Sequence, residues 1–170
     1  MQGFPYLRKA HCMFGWDWGP RLPDAGIWRP VKLLAFDHAR LDGVYITQKH
    51  EPGRVALQLR VDVQKAGRKN ICRFGRDEEE LEGLSWRVKV TDPDGRVILT
   101  ETCPEEAVIE NPRLWWPNGY GEQPLYLVEA ELLKDGNVLD IWSGRIGLRT
   151  MGVHREKDEY GEQFAHEVNG

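Results

Sequence analysis

Apolar side chains recur at every second position through the middle of the chain. Val55, Leu57, Leu59, Val61 and Val63 alternate with Ala56, Gln58, Arg60, Asp62 and Gln64. This predicts a strand with one dry and one wet face. Trp86, Val88 and Val90 alternate with Arg87 and Lys89, and Tyr126, Val128, Ala130 and Leu132 share a face opposite Glu129 and Glu131. Shorter strands are predicted at Val44–Thr47, Val97–Thr100, Val138–Trp142 and Arg145–Arg149. Turn residues separate these runs: Glu51-Pro52-Gly53-Arg54, Asp92-Pro93-Asp94-Gly95 and Lys134-Asp135-Gly136-Asn137. Each supplies proline, aspartate or glycine where a tight reversal needs it. Short alternating strands joined by turns describe an all-β sandwich. Its expected core is Leu57, Leu59, Val61, Trp86, Val88, Val128 and Ala130. No window has helical periodicity, and Arg76–Glu82 is expected to be a solvated loop with one exposed turn at most.

The two ends have another character. Residues 1–36 hold two aromatic clusters, Phe14-Gly15-Trp16-Asp17-Trp18-Gly19-Pro20 and Gly26-Ile27-Trp28-Arg29-Pro30-Val31. After Thr150 the sequence turns polar. The expected division is 1–36, 37–150 and 151–170, with the sandwich in the middle.

Composition narrows the function. The 170 residues carry 23 basic and 27 acidic side chains, a net charge of −4. A nucleic-acid or anionic-membrane surface would need a clustered basic excess, so neither partner is expected. No apolar run approaches the ~20 residues of a membrane-spanning helix. Met1–Tyr6 has no charged head followed by an apolar stretch, so no signal peptide is expected. Three cysteines cannot make a complete disulfide framework. Cys72, Trp86 and Cys103 imitate the Cys…Trp…Cys order of antibody domains, but 31 positions is too short for that bridge. Free thiols and a cytoplasmic location are the expectation.

Candidate chemistry is sparse. The histidines have no metal-ligand spacing, and no phosphate-binding loop or nucleophile elbow is present. Neither a metal nor a cofactor is expected. Asp17 stands apart, between Trp16 and Trp18. A carboxylate accepts hydrogen bonds from two neighbouring sugar hydroxyls, and an indole offers a flat face to the C–H side of a pyranose. Trp-Asp-Trp is therefore either a sugar-binding tip or two anchors around a capped turn. Leu114-Trp115-Trp116-Pro117-Asn118-Gly119-Tyr120-Gly121 is the other aromatic cluster. Its rigid neighbours place Trp115 and Trp116 in a buried position rather than on a glycan.

These residues carry a family likeness. Gly15-Trp16-Asp17-Trp18-Gly19-Pro20-Arg21, with Gly26-Ile27-Trp28-Arg29-Pro30-Val31, resembles the end of the sugar-binding domain of glycoside hydrolase family 2 β-mannosidases. Asn111–Gly121, with Gln123-Pro124-Leu125-Tyr126, resembles that family's immunoglobulin-like sandwich. Gly147-Leu148-Arg149-Thr150 and Phe164–Gly170 resemble the lead-in to its (β/α)₈ barrel. The resemblance implies an immunoglobulin-like β-sandwich with an N-terminal β-hairpin left from a jelly roll. It implies a parent enzyme that hydrolyses terminal β-mannosides with retention, using two barrel glutamates. The family's acid/base follows an asparagine, and this sequence has no Asn-Glu pair. Both glutamates are expected beyond Gly170, so these residues alone should be no catalyst.

The resemblance carries one substrate-binding role over, to Trp16 and Asp17. That role operates only when the barrel is present, so a mannoside is a partner only then. Other expected contacts are to neighbouring domains of the same protein, or to a second copy through residues 1–36. Rival readings are a stand-alone carbohydrate- or protein-binding module, a structural spacer, or another family 2 hydrolase such as a β-galactosidase or β-glucuronidase.

Overall fold

The computed structural model describes residues 6–170, which divide into two units, residues 6–35 and Phe36–Gly170. The second unit contains ten strands: β1 (Ala39–Glu51), β2 (Arg54–Lys65), β3 (Ile71–Arg73), β4 (Leu84–Thr91), β5 (Val97–Thr102), β6 (Ala107–Glu110), β7 (Tyr126–Lys134), β8 (Asn137–Ile146), β9 (Met151–His154) and β10 (Ala165–Val168). In one sheet β2 pairs with β1 along one edge, and with β6 and β3 at opposite ends of the other. The facing sheet has the order β5-β4-β7-β8, and all its pairings are antiparallel. β9 and β10 form a separate hairpin. This is an immunoglobulin-like β-sandwich.

Alternation builds it. Val55, Leu57, Val61 and Val63 from one sheet meet Trp86, Val88, Val90, Val128, Ala130 and Leu132 from the other in a single core. Burying each such side chain is worth about 1.5–3 kcal/mol. The opposite face of the second sheet is wet, and its charges are paired across strands. Arg87 stands opposite Glu131 and Lys89 opposite Glu129. The guanidinium Nε of Arg87 donates to Glu131 Oε2 at 2.7 Å, and Lys89 Nζ lies 2.6 Å from Glu129 Oε2. Asp135 and Gly136, both at positive φ, close the β7–β8 turn. That backbone matches the twist of the strands it joins.

Several expectations are corrected. Leu59 is only partly buried, although it packs against the core. It lies between the stretches of β2 covered by β6 and by β3, where that edge has no partner strand. β1 is far longer than Val44–Thr47. A bulge between Leu41 and Gly43 shifts its phase, so Ala39 and Leu41 face inward before it and Val44 and Ile46 after it. Arg145–Arg149 is not a strand of its own, because Arg145 and Ile146 end β8. The charged loop contains a 3-10 turn, Glu78–Leu81, and Leu81 is only 2% exposed. Leu81 pins the turn to the core, while Glu78, Glu79 and Glu80 stay exposed as expected. No strand precedes Ala39 among the described residues, so the N-terminal hairpin is replaced by the turn described below.

The open edge between the sheets is bridged by hydrogen bonds between β1 and β8 with the segment that follows it. Leu41 N donates to Asp140 Oδ2 at 2.8 Å. Gln48 acts as a clamp on the segment after β8. Its Nε2 donates to Gly147 O and its Oε1 accepts from Arg149 N, both at 3.1 Å. His50 Nε2 lies 3.0 Å from the same Oε1. Because Oε1 can only accept, Nε2 carries the proton and the neutral ring satisfies the contact. Burial lowers the His50 pKa, against a smaller opposing effect of a backbone hydrogen bond with Arg149.

Two outcomes are expected. Leu57→Ala should cost roughly 2–5 kcal/mol and Leu59→Ala distinctly less, read from urea midpoints. Equal costs would contradict the gap at Leu59. The unfolded state binds a proton on His50 before the folded state does. The stability this histidine contributes is therefore present above its ordinary value of 6.5 and lost as pH falls through the lowered folded value. Acidification from about pH 7.5 to 5.5 should lower Tm more steeply in the wild type than in His50→Gln. Parallel slopes would show that His50 contributes nothing to the pH dependence.

Candidate functional site

The candidate residues sit on one reversal of the first unit. A 3-10 turn, His11–Phe14, buries Phe14 and leads into Gly15 at φ 120°. The stem of Arg21 lies so close over Gly15 that an added Cβ would come within 3.0 Å of Arg21 Cγ. Trp16 and Gly19 then exchange backbone hydrogen bonds, N to O at 3.4 Å and 3.3 Å, and Leu22 N donates to Met13 O at 3.0 Å. These bonds close a reverse turn with Asp17 and Trp18 at its tip. The expected hairpin survives only as this turn. A ladder needs successive cross-strand pairs, and the backbone runs on from here without forming them.

The turn presents Trp16, 60% exposed, and Trp18, 85% exposed, with Asp17 between them. Asp17 Oδ1 accepts from Trp18 N at 3.1 Å. Its other oxygen has no partner among the described residues. The carboxylate thus caps its own turn with one oxygen and leaves the second for an external donor. The turn is capped by Asp17, but its two tryptophans are exposed rather than anchoring it.

A neighbouring hollow in this unit, lined by Arg8, Lys9, Met13, Asp24, Ile27 and Trp28, includes neither Trp16 nor Asp17. Lys9 Nζ donates to Asp24 O there. The Arg29 guanidinium lies 4.2 Å from the centre of the Trp28 ring, which is 80% exposed. In the sequence Trp28 stands out through its cluster, Gly26–Val31, and through the family likeness. Nothing in its spacing marks it as company for a cation.

Trp115 and Trp116 belong to the second unit and are half-buried rather than enclosed. Each lies against a glycine. A Cβ on Gly147 would stand 2.8 Å from Trp115 Cγ, and one on Gly121 would stand 2.9 Å from Trp116 Cγ. The Arg149 guanidinium lies 4.5 Å from the Trp115 ring centre. Trp115 N donates to Leu148 O and Trp116 N to Glu122 O, both at 2.9 Å. Arg113 N donates to the hydroxyl of Tyr126, itself 3% exposed, at 2.9 Å. Hydrogen bonds from the Arg113 side chain to Glu122 and Asp94 hold its guanidinium above its ordinary value. Each indole thus lies against a glycine of the same unit.

The hairpin β9–β10 is amphipathic. Met151 pairs with Val168 and Val153 with His166. The Phe164 and His166 rings meet edge-on at 5.6 Å. Met151, Val153 and Phe164 are 66%, 48% and 68% exposed. Asn169 ties the hairpin base. Its Oδ1 accepts from Thr150 N at 3.0 Å and its Nδ2 donates to Trp115 O at 3.1 Å.

The sequence matches the family model for glycosyl hydrolases family 2 over residues 39–149, and the model for the glycosyl hydrolase 2 galactose-binding domain-like segment over residues 1–29. It is 34% identical over 167 residues to β-mannosidase B of Emericella nidulans, covering 96% of this protein and 19% of that one. β-Mannosidase B of Aspergillus terreus is 33% identical over 164 residues, with the same coverage. The crystal structure of a β-D-mannosidase from Dictyoglomus thermophilum superposes with a TM-score of 0.76 at 29% identity, over 95% of this protein and 20% of that one. A β-glycosidase from Bacteroides vulgatus shares the fold at TM-score 0.61 and 19% identity, over 82% of this protein and 17% of that one. The 170 residues therefore span about a fifth of the curated relatives they match. An immunoglobulin-like sandwich with the aromatic-glycine seats described above, matched by the family model from residue 39 to residue 149, means that the protein belongs to glycosyl hydrolase family 2 and groups with its β-mannosidase branch.

Proposed function

We propose that these residues are the non-catalytic linker part of an enzyme that hydrolyses terminal β-mannosides with retention of configuration, and that the Trp16–Asp17 turn completes the sugar-binding site of that enzyme. The supporting observation is the unpartnered Asp17 oxygen beside the exposed Trp16 indole. In this reading Asp17 accepts from two hydroxyls of the terminal sugar, and Trp16 covers its C–H face. The two carboxyls of a retaining mechanism, about 5–5.5 Å apart, come from the catalytic domain outside these residues. Met151, Val153 and Phe164 form the apolar seat on which that domain rests. The sandwich serves as a spacer and contributes no group to bond breaking.

Three measurements test this reading. The isolated 170 residues should not release p-nitrophenol from p-nitrophenyl β-mannoside above background. Turnover that a single glutamate substitution here abolishes would overturn it. In the full-length enzyme, Asp17→Ala should lower kcat/KM by tenfold or more, since a hydrogen bond to a charged group is worth roughly 1.5–3 kcal/mol. Unchanged kinetics would remove Asp17 from the site. Saturable mannose binding by the isolated residues, seen in tryptophan fluorescence and lost in Asp17→Ala, would favour a self-sufficient binding module instead.

A further inference from the structure

Two Asn-Gly pairs occur in opposite surroundings. Asn118 and Gly119 are the middle residues of an exposed turn closed by Tyr120 N to Pro117 O at 3.0 Å, with Gly119 at φ 87°. Among the described residues neither the Asn118 amide nor Gly119 N has a hydrogen-bond partner. Asn169 precedes Gly170, but its amide is held at both ends, by Thr150 N on Oδ1 and by Trp115 O on Nδ2. Its backbone N–H is also engaged, with Thr150 Oγ1 at 3.1 Å. The remaining asparagines are less able to cyclise. Asn111 is followed by Pro112, which has no N–H, and Asn70 and Asn137 are followed by the β-branched Ile71 and Val138.

We propose that Asn118 is a site of spontaneous deamidation and that Asn169, with the same following residue, is protected by the fold. Base removes the Gly119 amide proton, and the nitrogen attacks Asn118 Cγ. A new bond forms from that nitrogen to Cγ, the bond between Cγ and Nδ2 breaks, and ammonia leaves with the proton it gains from water. Water then opens the five-membered imide on either side, giving aspartate or its β-linked isomer. No oxidant or further reactant enters. Glycine at the following position leaves the nucleophile uncovered, because there is no Cβ to obstruct the approach. The same attack at Asn169 requires the side chain to leave two hydrogen bonds and turn away from the hairpin base.

The consequence reaches the neighbouring aromatic seat. The β-linked isomer adds one backbone carbon inside the turn that carries Trp116 onto Gly121, and either product adds a negative charge beside the Glu122–Arg113–Asp94 run of ion pairs. Trp116 should then sit less firmly, while the sandwich core keeps its packing.

The whole protein is incubated at 37 °C and mildly alkaline pH, with and without urea, and followed by peptide mass mapping and isoaspartate detection. Under native conditions a gain of one mass unit should accumulate at Asn118 at least tenfold faster than at Asn169. In urea the ratio should fall several-fold as Asn169 is released. Asn118→Gln should remove the native signal. Native modification that begins at Asn169, or equal native rates at both sites, would overturn the proposal. So would a folded protein that stays unmodified at Asn118 while the unfolded one deamidates there.

Discussion

The contact between the Trp115 indole and Gly147 is the constraint on which this end of the sandwich depends. The ring lies where any side chain at residue 147 would have to be. That contact sets the Trp115 backbone against Leu148, which is fully buried, through the bond from Trp115 N to Leu148 O. The segment after β8 is thereby fixed from one side by Trp115 and from the other by the Gln48 clamp. Trp115 O in turn receives the Asn169 amide, so the β9–β10 hairpin hangs from the same residue. One aromatic side chain and one glycine thus couple β1, the exit of β8 and the hairpin. Hydrogen bonds of this kind are worth about 0.5–1.5 kcal/mol each, but here they share a single backbone geometry and stand or fall together.

The interior of the sandwich was legible from the alternation of its long strands. Leu57, Val61, Trp86, Val88, Val128 and Ala130 lie inside, as period two requires. Reading failed where alternation is too short or changes phase. β3 and β6 have three and four residues, too few to reveal a period. The bulge in β1 reverses which parity faces inward. Leu59 obeys the pattern, but its cover depends on which strands flank β2, and a single strand's sequence does not carry that information. Leu81 was hidden in a run of acidic residues, because one apolar residue in a charged loop has no period at all.

The candidate site was legible in its residues and not in its geometry. Trp16 and Asp17 stand together at a turn tip because they are adjacent in sequence. That Asp17 spends one oxygen on Trp18 N and keeps the other depends on the reverse turn. The turn in turn needs the close approach of Arg21 to Gly15 and of Gly19 to Trp16. The tryptophan pair at 115 and 116 was expected to be buried and is half-buried. The rings lie on glycines at the margin of the core, so burial comes from backbone contact on one face. Such seats are invisible to hydrophobic patterning, since glycine carries no apolar signal.

Amide hydrogen exchange on Gly147→Ala tests the central coupling most directly. If the Trp115 ring is the common support, the amides of Trp115, Arg149, Thr150 and Asn169 lose protection together by tenfold or more. Those of Val88 and Val128, deep in the sandwich, should keep theirs. A uniform loss that includes Val88 and Val128 would contradict this coupling, by showing that Gly147 serves the whole core rather than this end of it. Unchanged exchange at the four amides would contradict it equally, because the ring would then support none of them.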